Sequence, residues 1–128
     1  MFGKNLDNIV TMGHWSPAKT DWPGAKEFFD AYQAKTGEAP DYLDAVLSYV
    51  SAQILEQAVA KAGLDKDALR KEISTDTFST INGPIKFEGV QNVRTPTMFL
   101  QFQDGAVQIV HPPEMATAKF RPKLKWEQ

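Results

Sequence analysis

The sequence predicts an α/β fold with its elements in the order β-α-α-α-β-β-β. Three observations carry this. From Ala45 to Leu55 there is no charged residue, and this run sits inside a helical period. Asp104-Gly105 separates two alternating runs, among the strongest hairpin signals because both turn residues must accept positive φ. A short apolar run, Asn8-Ile-Val-Thr-Met12, reads as a strand ahead of three helical patterns.

Taken in order, the strand at 8–12 is broken by Gly13-His14-Trp15-Ser16-Pro17. A loop follows to Pro23, with Asp21 placed to cap the first helix and Pro23 tolerated in its first turn. That helix runs to about Lys35, with Ala25, Phe28, Phe29 and Tyr32 on one face, and Thr36-Gly37 ends it. Pro40-Asp41 opens a longer helix over roughly 42–62. Val46, Leu47, Val50, Ile54 and Ala58 make one apolar stripe on it; Ala52, Leu55 and Val59 make another on a different side. A helix so apolar is expected to be covered on two faces. Gly63 ends it, and Asp65 caps a third helix at about 66–73. Beyond Ser74 the pattern turns to β. Gly83 to Gly89 is a short strand, and Thr97–Gln103 and Ala106–Val110 flank the Asp-Gly turn. The tail from Glu114 has no regular period.

At 128 residues the chain suits one domain of the common ~100–150 residue size. Apolar residues are 42% and charged residues 23%, and eight Phe, three Trp and three Tyr need burial, so a wholly disordered chain is excluded. A net charge of −2 argues against nucleic acid as a partner. With no Cys, disulfides, thiolate catalysis and Cys-ligated zinc are excluded. No run approaches the ~18–20 apolar residues of a membrane span, and the first residues lack the apolar core of a signal peptide.

Phosphate-binding glycine loops and a nucleophile elbow are absent from the sequence. His14 and His111 are about a hundred residues apart, without the spacing of a metal site. His14 beside Trp15 reads either as a ligand-pocket group or as a solvated loop histidine. Asp41 and Asp44, one turn apart, suit acid–base work or simply a helix N-terminus that favours negative charge. Lys119, Arg121, Lys123 and Lys125 alternate with Phe120, Pro122, Leu124 and Trp126: an anion-touching strip, or a solvated tail pinned by its aromatics. Tyr42 and Tyr49 share a side of the long helix, as core or as ligand contacts.

These pieces in this order resemble the C-terminal portion of type I periplasmic substrate-binding proteins of the branched-chain amino acid transporter class. The similarity starts at Trp22-Pro-Gly-Ala-Lys-Glu-Phe-Phe-Asp-Ala-Tyr32 and continues through Tyr42-Leu-Asp-Ala-Val-Leu-Ser-Tyr49. Ile54-Leu-Glu-Gln-Ala-Val-Ala-Lys-Ala-Gly63, Ala68-Leu-Arg70, Gly83-Pro-Ile-Lys-Phe-Glu-Gly89 and the Asp104-Gly105 hairpin extend it.

The resemblance implies two α/β lobes joined by crossing segments. Residues 1–15 would end one lobe, 16–96 would belong to the other, and 97–128 would return to the first. Hinge crossings would fall near Trp15–Asp21 and Arg94–Thr97. It implies an extracytoplasmic, periplasmic solute-binding component of an ABC-type uptake system, served by a membrane permease. It implies no enzymatic activity, no cofactor and no metal. A small carboxylate-bearing ligand, an amino acid or aromatic acid, would sit in an interlobe cleft. His14, Trp15, Tyr42 and Tyr49 are the positions that the resemblance marks as ligand-binding. The alternative reading is a stand-alone α/β interaction or dimerisation module without ligand. In either case the under-covered long helix leads to an expectation of self-association.

Overall fold

The computed structural model describes residues 3–19, 21–41 and 43–123. Tyr42 and the tail residues Leu124, Lys125 and Trp126 lie outside the described residues. Along the chain the elements are β1 (Val10–Gly13), α1 (Ala25–Thr36), α2 (Asp44–Ala62), α3 (Lys66–Thr75), β2 (Thr77–Thr80), β3 (Gly83–Glu88), β4 (Gln91–Asn92), β5 (Met98–Gln103) and β6 (Ala106–His111). Two of these, β2 and β4, are additions to the expected order, and β1 starts two residues later than expected and takes in Gly13. The chain forms two compact units, Met1–Lys19 with Thr97–Gln128, and Thr20–Pro96.

The discontinuous unit holds an antiparallel sheet in the order β1-β5-β6. Val10 lies opposite Gln101 and Met12 opposite Phe99, while β5 pairs with β6 through Gln103↔Ala106 and Phe102↔Val107. The register shifts between Phe99 and Leu100. The turn has φ 54° at Asp104 and φ 81° at Gly105, as the Asp-Gly signal required. Trp15, Met98, Leu100, Val107 and Ile109 are its buried apolar residues.

The tail, irregular by pattern, is firmly placed as far as Lys123. The Gln101 side chain donates to the Arg121 carbonyl at 2.6 Å and accepts the Arg121 N–H at 2.9 Å. Gln103 donates to the Lys119 carbonyl at 2.8 Å. A glutamine amide reproduces a peptide group, so the tail is bonded to the sheet as a strand would be, through side chains. Lys123 Nζ donates to the carbonyls of Asn5 and Asp7 at 3.0 and 2.9 Å.

The continuous unit packs α2 on β2 and α3, and α3 on β3, over an antiparallel sheet ordered β2-β3-β4. Val46, Val50, Ile54 and Ala58 recur every fourth residue and are buried, and Phe78, Ile81 and Ile85 are buried on the β side. Gln57 exchanges two hydrogen bonds with the backbone of Ser79, donating at 2.9 Å and accepting at 3.2 Å; Gln53 accepts the Ile81 N–H at 3.0 Å.

Two expectations about the helices are corrected. The second stripe of α2 is not covered: Ala52 and Leu55 are exposed and Val59 is half-buried, so the helix is buried along one face only. The residue at the N-cap of α1 is Gly24, in the left-handed region at φ 73°, rather than Asp21. Other ends follow the sequence. Gly37 and Gly63 close α1 and α2, and the Asp65 side chain accepts the N–H of Asp67 at 3.1 Å and of Ala68 at 2.9 Å.

Candidate ligand-binding residues

His14 and Trp15 follow directly from the end of β1. Gly13 is needed there: a Cβ would stand 2.5 Å from Leu100 Cδ1, and Leu100 is itself buried. Ser16 fixes the next turn. Its hydroxyl donates to the Val107 carbonyl at 3.1 Å and accepts the Ala18 N–H at 3.2 Å, while its carbonyl accepts from Lys19 N–H at 3.1 Å. The Trp15 side chain is 0% exposed and His14 is half-buried. In the described chain Trp15 is thus fully enclosed, while His14 keeps partial access to solvent.

Tyr49 lies in the other unit, on α2, and is 45% exposed. It contributes to an open cavity of about 520 Å³ between α1 and α2, together with Phe28, Tyr32, Lys35, Glu27 and Gln53. The Phe28 ring is 4.7 Å from that of Tyr49 and 5.9 Å from that of Tyr32, with tilted planes. Such a wall suits an apolar or aromatic group. Lys35 and Glu27 supply one charge of each sign among the lining residues. Phe28 and Tyr32 were not among the expected site residues. Their signal was present as an aromatic pair at i, i+4 on the apolar side of α1, but its pairing with Tyr49 depends on how two helices meet.

The structure thus places His14 and Trp15 side by side in one unit and Tyr49 in the other, and Tyr42 lies outside the described residues. Asp41 and Asp44 do not form an acid–base pair. The Asp41 carboxylate takes the N–H groups of Leu43 at 3.0 Å, of Ala45 at 3.0 Å, and of Asp44. Desolvation pushes its pKa up, but these donors outweigh it and hold the carboxyl below its ordinary 3.8. His111 is exposed with its ring 5.8 Å from that of Phe99. Among the described residues no three His, Cys, Asp or Glu side chains cluster as metal ligands would.

The chain leaves one compact unit built on the β1-β5-β6 sheet, builds a second, α/β unit from Thr20 to Pro96, and returns to the first, which defines the class as a two-unit fold with α/β architecture. Residues 1–106 match the Periplasmic binding protein family, and the chain belongs to that family. It is 34% identical over 107 residues to a Leu/Ile/Val-binding protein homolog 8 of Brucella abortus, covering 79% of this chain and 27% of that protein.

Among solved structures, a leucine binding protein from Thermotoga maritima aligns with TM-score 0.67 and 24% identity over 84% of this chain and 31% of that one. A solute-binding protein of an ABC transporter from R. palustris, in complex with benzoate, aligns with TM-score 0.70 and 20% identity over 94% of this chain and 33% of that one. The chain spans about a quarter of the length of the curated relatives it matches. Its fold is accordingly part of the two-lobe type I periplasmic-binding-protein fold.

Proposed function

We propose that this chain is the C-terminal portion of an extracytoplasmic solute-binding component of an ABC-type uptake system, located in the periplasm and acting with a membrane permease. The whole protein takes a small carboxylate-bearing ligand, an amino acid or an aromatic acid, between its two lobes. The observation that carries this reading is the family match across residues 1–106. Two things support the ligand class: the leucine and benzoate named for proteins of the same fold, and the aromatic wall of Phe28, Tyr32 and Tyr49 near Lys35. The unit Thr20–Pro96 belongs to one lobe and the discontinuous unit to the other. Ligand bridging the lobes shifts an open–closed equilibrium that the permease reads; no bond of the ligand is made or broken.

In this proposal His14, Tyr42 and Tyr49 contact the ligand, and Trp15 either contacts it or holds the loop that presents His14. The test is calorimetry on the full-length protein with leucine and with benzoate. Tyr49→Ala and Trp15→Ala are each expected to weaken binding by about 1–3 kcal/mol if the rings are buried against ligand. Circular dichroism checks that Trp15→Ala still folds. Unaltered affinity in both variants removes these residues from the site, and no binding of any amino acid or aromatic acid overturns the reading itself.

A further inference from the structure

A second concavity, of about 540 Å³, lies between α3 and the β3–β4 hairpin, remote in sequence from the residues above. It is lined by Lys66, Leu69, Arg70, Ile73, Phe87 and Val90. Leu69 and Ile73 are one turn apart on α3 and only half-buried, as is Phe87 on β3; no residue of α3 is fully buried. Val90, at the hairpin tip, is 98% exposed. A lone exposed valine is unremarked on any surface, but this one continues an apolar floor that the fold leaves incomplete.

The charge is one-sided. Lys66 and Arg70, spaced i, i+4, lie along one wall, and among the described residues no carboxylate lines the groove. Glu88 follows Phe87 in β3 and so alternates to the opposite face of the strand. Arg70 is 3.8 Å from Asp67, but both side chains are largely exposed, so that pair is weak and readily exchanged for another carboxylate.

We propose that this groove is a docking site for an acidic amphipathic segment of a partner protein. Apolar side chains at helical spacing would lie along Leu69, Ile73, Phe87 and Val90, with carboxylates over Lys66 and Arg70. The shape decides between occupants. A lipid surface, being flat, would not fill a concavity.

Two labelled synthetic peptides of about four helical turns, with one apolar face and either Glu or Lys on the other, test this by fluorescence anisotropy against the full-length protein. The Glu peptide is expected to bind at least about tenfold more tightly, less so at high salt. The double variant Lys66→Glu with Arg70→Glu should reverse that preference, and Val90→Ser should weaken the Glu peptide several-fold with an unchanged circular dichroism spectrum. Equal affinity for the two peptides, no binding of either, or a preference untouched by the double variant overturns the proposal. So does binding to phosphatidylserine vesicles that the Glu peptide does not displace, which would make the groove a membrane contact.

Discussion

Single residues set the geometry at one turn and one helix end. Asp104 and Gly105 both sit at positive φ, which makes the β5–β6 connection a tight two-residue turn whose twist suits the strands it joins. Gly105→Val puts a β-branched side chain at φ 81° and should cost roughly 1–3 kcal/mol, read as a lowered melting temperature. An unchanged melting temperature would mean the turn relaxes to another type. Asp41 supports a prediction about pH. Its pKa is depressed in the folded chain, so its contribution is present above the ordinary carboxyl value of 3.8 and is lost as pH falls through the lower folded value. Asp41→Ala should cost about 1 kcal/mol near neutral pH. The gap between variant and parent in thermal melts should close as the pH drops below 3.8. A gap that stays constant into acid would assign the loss to packing instead.

At the scale of elements, glutamine amides join pieces that no ladder joins. Gln57 ties α2 to β2, and Gln101 ties the tail to β5. Gln101 is buried and also donates to the Asn8 carbonyl at 3.0 Å. Gln101→Ala would leave these backbone groups unpaired, at a cost of roughly 1–3 kcal/mol. Hydrogen exchange should show the Arg121 amide losing protection while β5 and β6 keep theirs. Retained protection at Arg121 would credit the Arg121–Asp104 ion pair, at 2.8 Å, with holding the tail.

The same bonds explain what the sequence hid. The tail has no period because its partners are side chains, and Thr77–Thr80 is too short to announce a strand before β3 pairs with it. Helix ends other than the start of α1, the hairpin and the position of α2 were legible because local chemistry decides them. The exposure of Leu55 was not, since an absence of charge permits burial without requiring it. At the candidate site Tyr49 could be picked out, but its ring neighbours on α1 came only with the packing.

Across the whole molecule, several large apolar side chains stand exposed. Met12 is 68% exposed and Phe99 45%, beside Val10 on the same face of the sheet, and in the other unit Leu55 is 53% exposed. Strand β1 pairs only with β5 among the described residues, so its outer edge offers free backbone groups. Exposed apolar side chains and an open strand edge are surfaces that copies of the chain can cover for one another. The 128-residue chain on its own should therefore self-associate, and should bind leucine or benzoate weakly or not at all, because receptors of this kind gain affinity by enclosing ligand. Size-exclusion chromatography with light scattering and a calorimetric titration check both halves. A dilution series separates specific association, which reverses, from aggregation, which does not. A clean monomer with micromolar affinity would show that the exposed faces need no cover and that a quarter of the fold suffices for the site.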